Sequence, residues 1–245
     1  MKAHQLLLET STNFGLVALA QNNQVLEEFQ SVEPRSHTEI THQYVQKALV
    51  QQKLNLNQID FFTCGIGPGS FTGMRVAINT VKTWNYLLSK PIVEINTLEL
   101  LAMNYFMNFD SEFVFVANNA FKNMVYNCLY RRGPGHRPEK MTDEKATFVK
   151  DIRLESKNCG LIGDGFTVYE KHIPEEVIHC GSRPVNNDTE KKFSQFDFPN
   201  AAAAAELSWM MFQNGETKDW KSTKPLYIRA SEAEENYKGV KYIPL

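Results

Sequence analysis

Short apolar runs separated by turn-forming residues open the chain. Residues 6–9, 14–20 and 24–29 are extended in character, and the segments between them, residues 10–13 and 21–23, consist of Thr, Ser, Asn and Gln. Side chains of these polar types bond to nearby backbone and favour turns. The pattern predicts a three-stranded meander.

A change of period follows the meander. Ile40, Tyr44, Val45, Ala48 and Leu49 are apolar at helical spacing, which predicts a helix over about residues 38–52. The spacing from Ser36 to Glu39 matches a capping box, in which hydroxyl and carboxylate satisfy reciprocal backbone amides.

A strand, a glycine-rich loop and a second helix come next. Residues 61–66 are almost wholly apolar, as in a strand covered on both faces, and a helix is predicted over residues 74–88. Residues 91–95 predict one more strand, and residues 97–106 one more helix with a capping residue before it. A first lobe therefore ends near residue 108.

The pattern then begins again. Residues 113–117 and 124–130 predict a hairpin, and residues 131–158 predict surface loops with room for one strand. The remaining predicted elements are a turn at residues 163–165, an alanine-rich helix over residues 201–212 and an extended tail over residues 224–229. Two successive units of this kind predict an α/β protein with a duplicated mixed sheet flanked by helices. The expected division is an N-terminal lobe (1–108), a C-terminal lobe (109–224) and a C-terminal segment (225–245) that packs back across the lobes.

Composition excludes several classes. The 245 residues are 42% apolar, enough for a sizeable core, and 26 basic against 28 acidic residues leave a net charge of −2. No overall field draws such a chain to a polyanion or a membrane, so nucleic-acid contact would have to be local. The apolar run at the N-terminus is too short for a signal peptide or a membrane span, and the four cysteines are scattered singly. We expect a cytoplasmic protein with reduced thiols.

The most specific stretch is the loop Gly67-Pro68-Gly69-Ser70-Phe71-Thr72-Gly73. A phosphate-binding P-loop is excluded because Met74 and Arg75 follow Gly73 where Lys and Ser or Thr are needed. A nucleophile elbow is excluded because Pro68 and Thr72 flank Ser70 where glycines are needed, and Thr72 also breaks the dinucleotide-binding fingerprint. Two interpretations stay open: an anion or backbone docking site at a helix start, with Arg75 in its first turn, or glycines that only permit close packing.

The pattern resembles one family, the TsaB or YeaZ proteins of the actin-like ATPase superfamily. Residues 6–12, residues 35–39, the whole loop 67–73 with Arg75, and residues 225–229 match the family's motifs in order. The resemblance departs at two places. Glu9 stands where the family has Asp, and residues 119–123 lack its charged Asp-Ala-Arg-Arg-Gly sequence.

The resemblance implies two actin-like ATPase (ribonuclease H-like) lobes and a non-catalytic scaffold subunit of the complex that forms threonylcarbamoyladenosine in tRNA. Its implied partners are a TsaD-type catalytic subunit, a TsaE-type ATPase and, in isolation, a second copy. It implies that tRNA is reached through the complex and that the complex uses ATP and ADP. This chain is expected to bind neither a cofactor nor a metal ion and not to associate with a membrane.

Remnants of nucleotide binding are candidates at four positions, Glu9, Thr10, Ser11 and Asp164, although a simple structural turn is the favoured interpretation. His37 and His42 are five residues apart and cannot form the i, i+4 metal pair of a helix. No catalytic or metal-binding residue is therefore expected. An autonomous small kinase or ATPase of the same superfamily remains the alternative.

An interaction surface is the functional site that the sequence favours. The second helix carries Met74, Ala77, Ile78, Val81 and Trp84 along one stripe, with Val76, Tyr86 and Leu87 outside it. Because one sheet cannot cover all of these, the stripe, together with Tyr44, Val45 and Ala48 of the first helix, is predicted to dock on another chain as half of a four-helix bundle. Ordinary core burial is the alternative. A basic stretch over residues 122–140 is either a phosphate track or a solvated loop.

Overall fold

The computed structural model describes residues 2–31, 37–154, 158–184 and 194–230, and for residues 37–40 it describes the backbone alone. The described residues divide into two compact units, the first formed by those within 2–100 and 199–226 and the second by those within 101–198 and 227–230. The predicted cap Ser36 and most of the predicted C-terminal segment lie outside the described residues.

Eleven strands and six α-helices are found in the described part of the chain. The strands are β1 (His4–Glu9), β2 (Leu16–Gln21), β3 (Gln24–Gln30), β4 (Phe61–Gly67), β5 (Ile92–Asn96), β6 (Phe113–Asn119), β7 (Met124–Arg132), β8 (Pro138–Lys140), β9 (Lys145–Phe148), β10 (Cys159–Ile162) and β11 (Gly181–Ser182). The helices are α1 (His37–Gln51), α2 (Phe71–Leu88), α3 (Thr97–Asn108), α4 (Gly165–Val168), α5 (Glu175–His179) and α6 (Ala201–Gln213).

The two sheets share one topology. The first has the order β3-β2-β1-β4-β5, and the second has the order β11-β10-β6-β7-β8 with β9 also paired to β7. In each, the first three strands are an antiparallel meander and two later strands add in parallel beside the first. A parallel addition needs a crossover connection, and α1, α2 and the α4–α5 segment lie in the crossovers that lead to β4, β5 and β11. The predicted fold class, α/β with two ribonuclease H-like lobes built on mixed sheets, is confirmed.

The first sheet is covered on both faces. Leu6 and Leu8 point into a cluster with buried residues of α1 and α2, while the strand period of two turns Leu7 to the opposite face. The opposite face carries α6, where Phe212 stacks on Phe61 with ring centroids 4.1 Å apart. A strand buried on both faces must be apolar at successive positions, as the run of three leucines is.

Helix α6 explains a difference from the predicted division of the chain. The sequence placed it in the C-terminal lobe, whereas residues 199–226 belong to the first unit. Ala203, Ala204 and Ala205 are buried, and the side chain of Gln5 on β1 donates to the carbonyl of Ala205 at 3.0 Å. Small side chains allow this close approach, but a helical pattern does not indicate which sheet the helix will cover.

Other boundaries differ in smaller ways. Helix α2 begins at Phe71, three residues before the predicted start, because the Ser70 side chain accepts a hydrogen bond from the Gly73 amide and caps the helix. The segment predicted to hold one strand holds two, β8 and β9, both paired with β7. Within the ranges described above, none of the helices has the length and apolar character needed to cross a membrane.

Candidate functional site

The glycine-rich loop is packed against the residues that follow β1. A Cβ added to Gly69 would stand 2.2 Å from the carbonyl oxygen of Ser11, and one added to Gly73 would stand 1.8 Å from that of Thr10. The Ser70 amide donates to the Ser11 carbonyl at 2.7 Å. The Thr10 hydroxyl donates to the Gly73 carbonyl at 2.6 Å. The loop glycines are therefore needed for close backbone packing, the second of the two interpretations that the sequence left open.

The first turn of α2 carries the solvent-facing side chains that follow the glycine-rich loop. Gly67 has a φ of 95°, a conformation that favours glycine, and the chain turns there toward Pro68 and the helix. The Arg75 guanidinium lies 5.9 Å from the centre of the Phe71 ring. Thr72 and Arg75 are exposed, so this end of α2 presents its polar side chains outward.

The carboxyl group of Glu9 lies in a closed polar cluster. Its Oε1 accepts a hydrogen bond from the Ser11 amide at 2.6 Å, and its Oε2 accepts one from the Thr97 hydroxyl at 3.1 Å. The hydroxyls of Ser11 and Thr97 are themselves 2.7 Å apart. Glu9 is 1% exposed, and this burial raises the pKa of its carboxyl above the ordinary value. The cluster ties the end of β1 to the start of α3.

Asp164 lies in the second unit, in the turn that precedes α4. Its Oδ1 accepts a hydrogen bond from the Asn119 amide at 2.7 Å, and the Asn119 side chain accepts one from the Tyr169 hydroxyl at 3.0 Å. Burial raises the pKa of Asp164 to about 6, and the negative charge of Asp197 acts in the same direction. Asp164 thus anchors the end of the β6–β7 hairpin.

Metal-ligating side chains do not gather in the parts of the chain that the structure describes. No group of three or more His, Cys, Asp or Glu residues there could hold a metal ion. His42 is exposed on α1, and the side chain of His37 is not among those described.

Most of the predicted partner interface, the stripe of α2 together with three residues of α1, faces the core. Six of its eight residues are buried in the first unit: Val45, Ala48, Met74, Ala77, Ile78 and Val81. Tyr44 and Trp84 are half-buried and pack against the edge of the same cluster. The placement of these six on a surface is corrected, because the stripe of α2 is the face that covers the sheet.

The outer side of α1 and α2 carries a groove of about 430 Å³. Its walls include His42 and Val45 from α1 and Arg75, Val76 and Trp84 from α2. Of the predicted interface residues, Val45 and Trp84 therefore reach this groove, and the Trp84 ring leans on Phe62 with centroids 5.1 Å apart. The sequence had singled out Val76 only as an apolar residue beyond the stripe, which is the signal that identifies the outer face.

Comparison with known proteins agrees with this architecture. A sequence profile of the family described as TsaD: tRNA N6-adenosine threonylcarbamoyltransferase matches residues 17–237. The protein named tRNA threonylcarbamoyladenosine biosynthesis protein TsaB from Haemophilus influenzae is 26% identical over 235 residues, which cover 91% of this chain and 92% of that protein. The protein of the same name from Escherichia coli K12 is 26% identical over 238 residues, covering 96% and 98%.

A solved structure gives the same result. YeaZ from Pseudomonas aeruginosa matches the chain with a TM-score of 0.77 and 25% sequence identity, covering 92% of this chain and 99% of that one. The fold and the loop packed on β1 define a two-lobed α/β protein of the ribonuclease H-like type. With the profile match over most of its length, the chain belongs to the TsaD tRNA N6-adenosine threonylcarbamoyltransferase family and, within it, to the TsaB/YeaZ group.

Proposed function

We propose that the chain is a non-catalytic scaffold subunit of the complex that forms threonylcarbamoyladenosine in tRNA. Its task is to bind and stabilise a TsaD-type catalytic subunit. Family membership supports the process, because relatives that align over nearly the whole chain carry the name tRNA threonylcarbamoyladenosine biosynthesis protein TsaB.

The observation that carries the scaffold role is the enclosure of Glu9. A phosphotransferase of this superfamily needs an accessible carboxylate to hold a metal ion near the phosphates. Both carboxylate oxygens of Glu9 already accept hydrogen bonds from Ser11 and Thr97 at the end of β1. A metal ion or a phosphate would have to displace these partners from a buried site. The chain therefore supplies structure, and its partner supplies the chemistry.

The surface offered to the partner is the outer side of α1 and α2. The groove combines apolar walls, Val76 and Trp84, with polar and basic side chains at His42 and Arg75. An apolar centre with a polar rim is the usual anatomy of a protein interface. A helix pair of the partner docks here to complete a four-helix arrangement. When the TsaD-type subunit is absent, a second copy of the chain takes its place.

The remaining partners follow from the same proposal. The complex works in the cytoplasm with a TsaE-type ATPase, and the ATP and ADP that it uses are handled by the other subunits. This chain binds no cofactor of its own, and the bulk of the tRNA contact is made by the assembled complex.

Reconstitution tests the proposal. Purified TsaD-type and TsaE-type relatives, an unmodified tRNA, ATP and a source of threonylcarbamoyl-adenylate should yield modified tRNA only when this chain is added. A Glu9→Gln variant, which keeps the size of the side chain, should support modification within about twofold, because the carboxylate takes no part in the chemistry.

The autonomous kinase or ATPase is the competing outcome. The chain alone should hydrolyse ATP no faster than a buffer control. Steady ATP turnover by the isolated chain that disappears in Glu9→Gln would replace the scaffold proposal with the enzymatic one.

A further inference from the structure

Two exposed aromatic rings meet at the carboxyl end of α2. The rings of Tyr86 and Trp220 contact each other edge to face, with centroids 5.4 Å apart and an interplanar angle of 88°. Tyr86 is 66% exposed and Trp220 37% exposed, and the neighbouring Leu87 is 67% exposed. Single exposed apolar residues are ordinary on protein surfaces, but a group of this kind marks an interaction site.

The turn that presents Trp220 is tightly held. The Trp220 amide donates to Oδ1 of the buried Asn85 at 2.8 Å. The Asp219 carboxylate accepts hydrogen bonds from the amide and the hydroxyl of Ser222, at 2.8 and 2.6 Å. Upstream, Lys218 exchanges both backbone hydrogen bonds with Ile92 at the start of β5. Because these hydrogen bonds fix the backbone of the turn, the Trp220 ring is already ordered before a ligand binds. This order lowers the entropic cost of binding.

Three lysines lie within four residues of Trp220 in the chain. Lys218, Lys221 and Lys224 are exposed at intervals of three residues, and the Lys221 ammonium lies 5.5 Å from the Trp220 ring centre. The Asp219 carboxylate is occupied by the hydrogen bonds of its own turn, and those bonds lower the pKa of its carboxyl. Asp219 therefore stays ionised at neutral pH, and with the exposed Glu216 it offsets two of the three lysines, so residues 216–224 keep a net charge of +1 (three Lys against one Asp and one Glu) in a chain whose net charge is −2.

We propose that this aromatic–lysine surface, formed by Tyr86, Leu87, Lys218, Trp220, Lys221 and Lys224, binds an unpaired segment of the tRNA substrate. A base stacks on the Trp220 ring, which Tyr86 contacts edge to face, and the lysines bind the flanking phosphates. Lysine is depleted in protein–protein interfaces, whereas aromatic rings set among lysines are typical of single-stranded nucleic-acid sites. The surface shares no residue with the groove of α1 and α2. The choice of tRNA rests on the proposed function.

Fluorescence anisotropy with a labelled, unmodified tRNA and the full chain tests this inference across a salt series. Trp220→Ala should weaken binding by about tenfold or more, because a stacked base is lost, while Trp220→Phe should bind close to normally. Lys221→Ala with Lys224→Ala should lower the slope of log affinity against log salt by about 1 to 2, as expected for lost phosphate contacts. The control is Lys145→Ala with Lys150→Ala, which removes two exposed lysines of the second unit and should change neither quantity.

Several results would overturn the inference. They are no measurable binding of tRNA by the full chain, equal binding by Trp220→Ala, or an equal loss in the control pair. Normal tRNA binding by Trp220→Ala together with lost binding of the TsaD-type subunit would assign the surface to a protein instead. Circular dichroism of each variant establishes that it is folded. Because anisotropy is measured on the chain alone, its failure leaves the reconstitution test of the scaffold role standing, and the reverse also holds.

Discussion

Gly65 and Glu9 are complementary in size. A Cβ added to Gly65 on β4 would stand 1.7 Å from Oε2 and 2.3 Å from Cδ of the Glu9 side chain on β1. The Glu9 carboxylate thus occupies space that any side chain at position 65 would fill. This fit explains how a glutamate is accommodated at the position where the resemblance to the TsaB/YeaZ family leads us to expect the shorter aspartate.

The pair predicts a specific coupling. Gly65→Ala should lower the free energy of unfolding by about 1–3 kcal/mol, because the added methyl group overpacks a closed site. Glu9→Asp shortens the side chain by one methylene, so Gly65→Ala should cost less in that background. Urea unfolding of the four proteins in a double-mutant cycle measures the coupling energy. An equal cost of Gly65→Ala in both backgrounds would contradict the fit.

The close packing of the glycine-rich loop on β1 predicts a second effect on stability. Gly73→Ala places a methyl group 1.8 Å from the Thr10 carbonyl oxygen, so the loop must move away from β1 and the free energy of unfolding should fall by about 1–3 kcal/mol or more. Thr72→Ala is the matched control, since Thr72 is an exposed neighbour in the first turn of α2. Thermal unfolding should separate the two variants by several degrees. Similar melting temperatures for both would show that the close approach carries little energy.

The buried Asp164 predicts a dependence of stability on pH. Because its pKa is raised from 3.8 to about 6 on folding, the folded chain binds more protons than the unfolded chain between these values. The stability from this group is fully present below about pH 4 and is lost as the pH rises through 6. Asp164→Asn keeps Oδ1 as an acceptor for the Asn119 amide and does not titrate. Relative to the unaltered chain, it should gain about 1–3 kcal/mol between pH 4 and pH 7.5.

Urea unfolding of the two proteins across this pH range measures the gain. Asp143→Asn, at an exposed position of the same unit, controls for the loss of one negative charge. A difference between Asp164→Asn and the unaltered chain that stays constant with pH would contradict the raised pKa.

The two faces of α2 predict opposite outcomes for the same substitution. Val81 is 0% exposed, so Val81→Glu buries an unpaired carboxylate and should prevent the first unit from folding. Val76→Glu, on the groove side of the helix, should leave the chain folded. Circular dichroism melting curves distinguish the two variants. A cooperative, near-normal transition for Val81→Glu would contradict the assignment of the stripe to the core.

Much of the fold follows from local pattern. The triple-leucine run of β1 and the helical spacing on α1 predict their elements, because an element buried on one face has periodic apolar residues and a strand buried on both faces has consecutive ones. The sheet on which α6 packs does not follow from the pattern, since the spacing of apolar residues in an alanine-rich helix is the same whichever sheet it covers. The start of α2 does not follow from the pattern either, because its cap, Ser70, lies inside the glycine-rich loop.

The candidate site was less accessible to sequence reasoning. Apolar spacing identified α2 as carrying more apolar surface than one sheet can cover, and Tyr86 and Leu87 are indeed exposed. The same spacing could not tell which stripe faces outward, so core residues such as Ala77 were assigned to the surface. The Tyr86–Trp220 contact joins residues more than a hundred positions apart, and no local pattern encodes it.

Binding of the TsaD-type subunit tests the central claim most directly. Isothermal titration with the folded Val76→Glu variant should give an affinity about 100-fold weaker than that of the unaltered chain, because an uncompensated charge would be buried at the docked helices. Val168→Glu, which changes a partly exposed valine of the second unit, should bind normally. Unchanged affinity for Val76→Glu, or an equal loss for Val168→Glu, would contradict the docking of α1 and α2 on the partner.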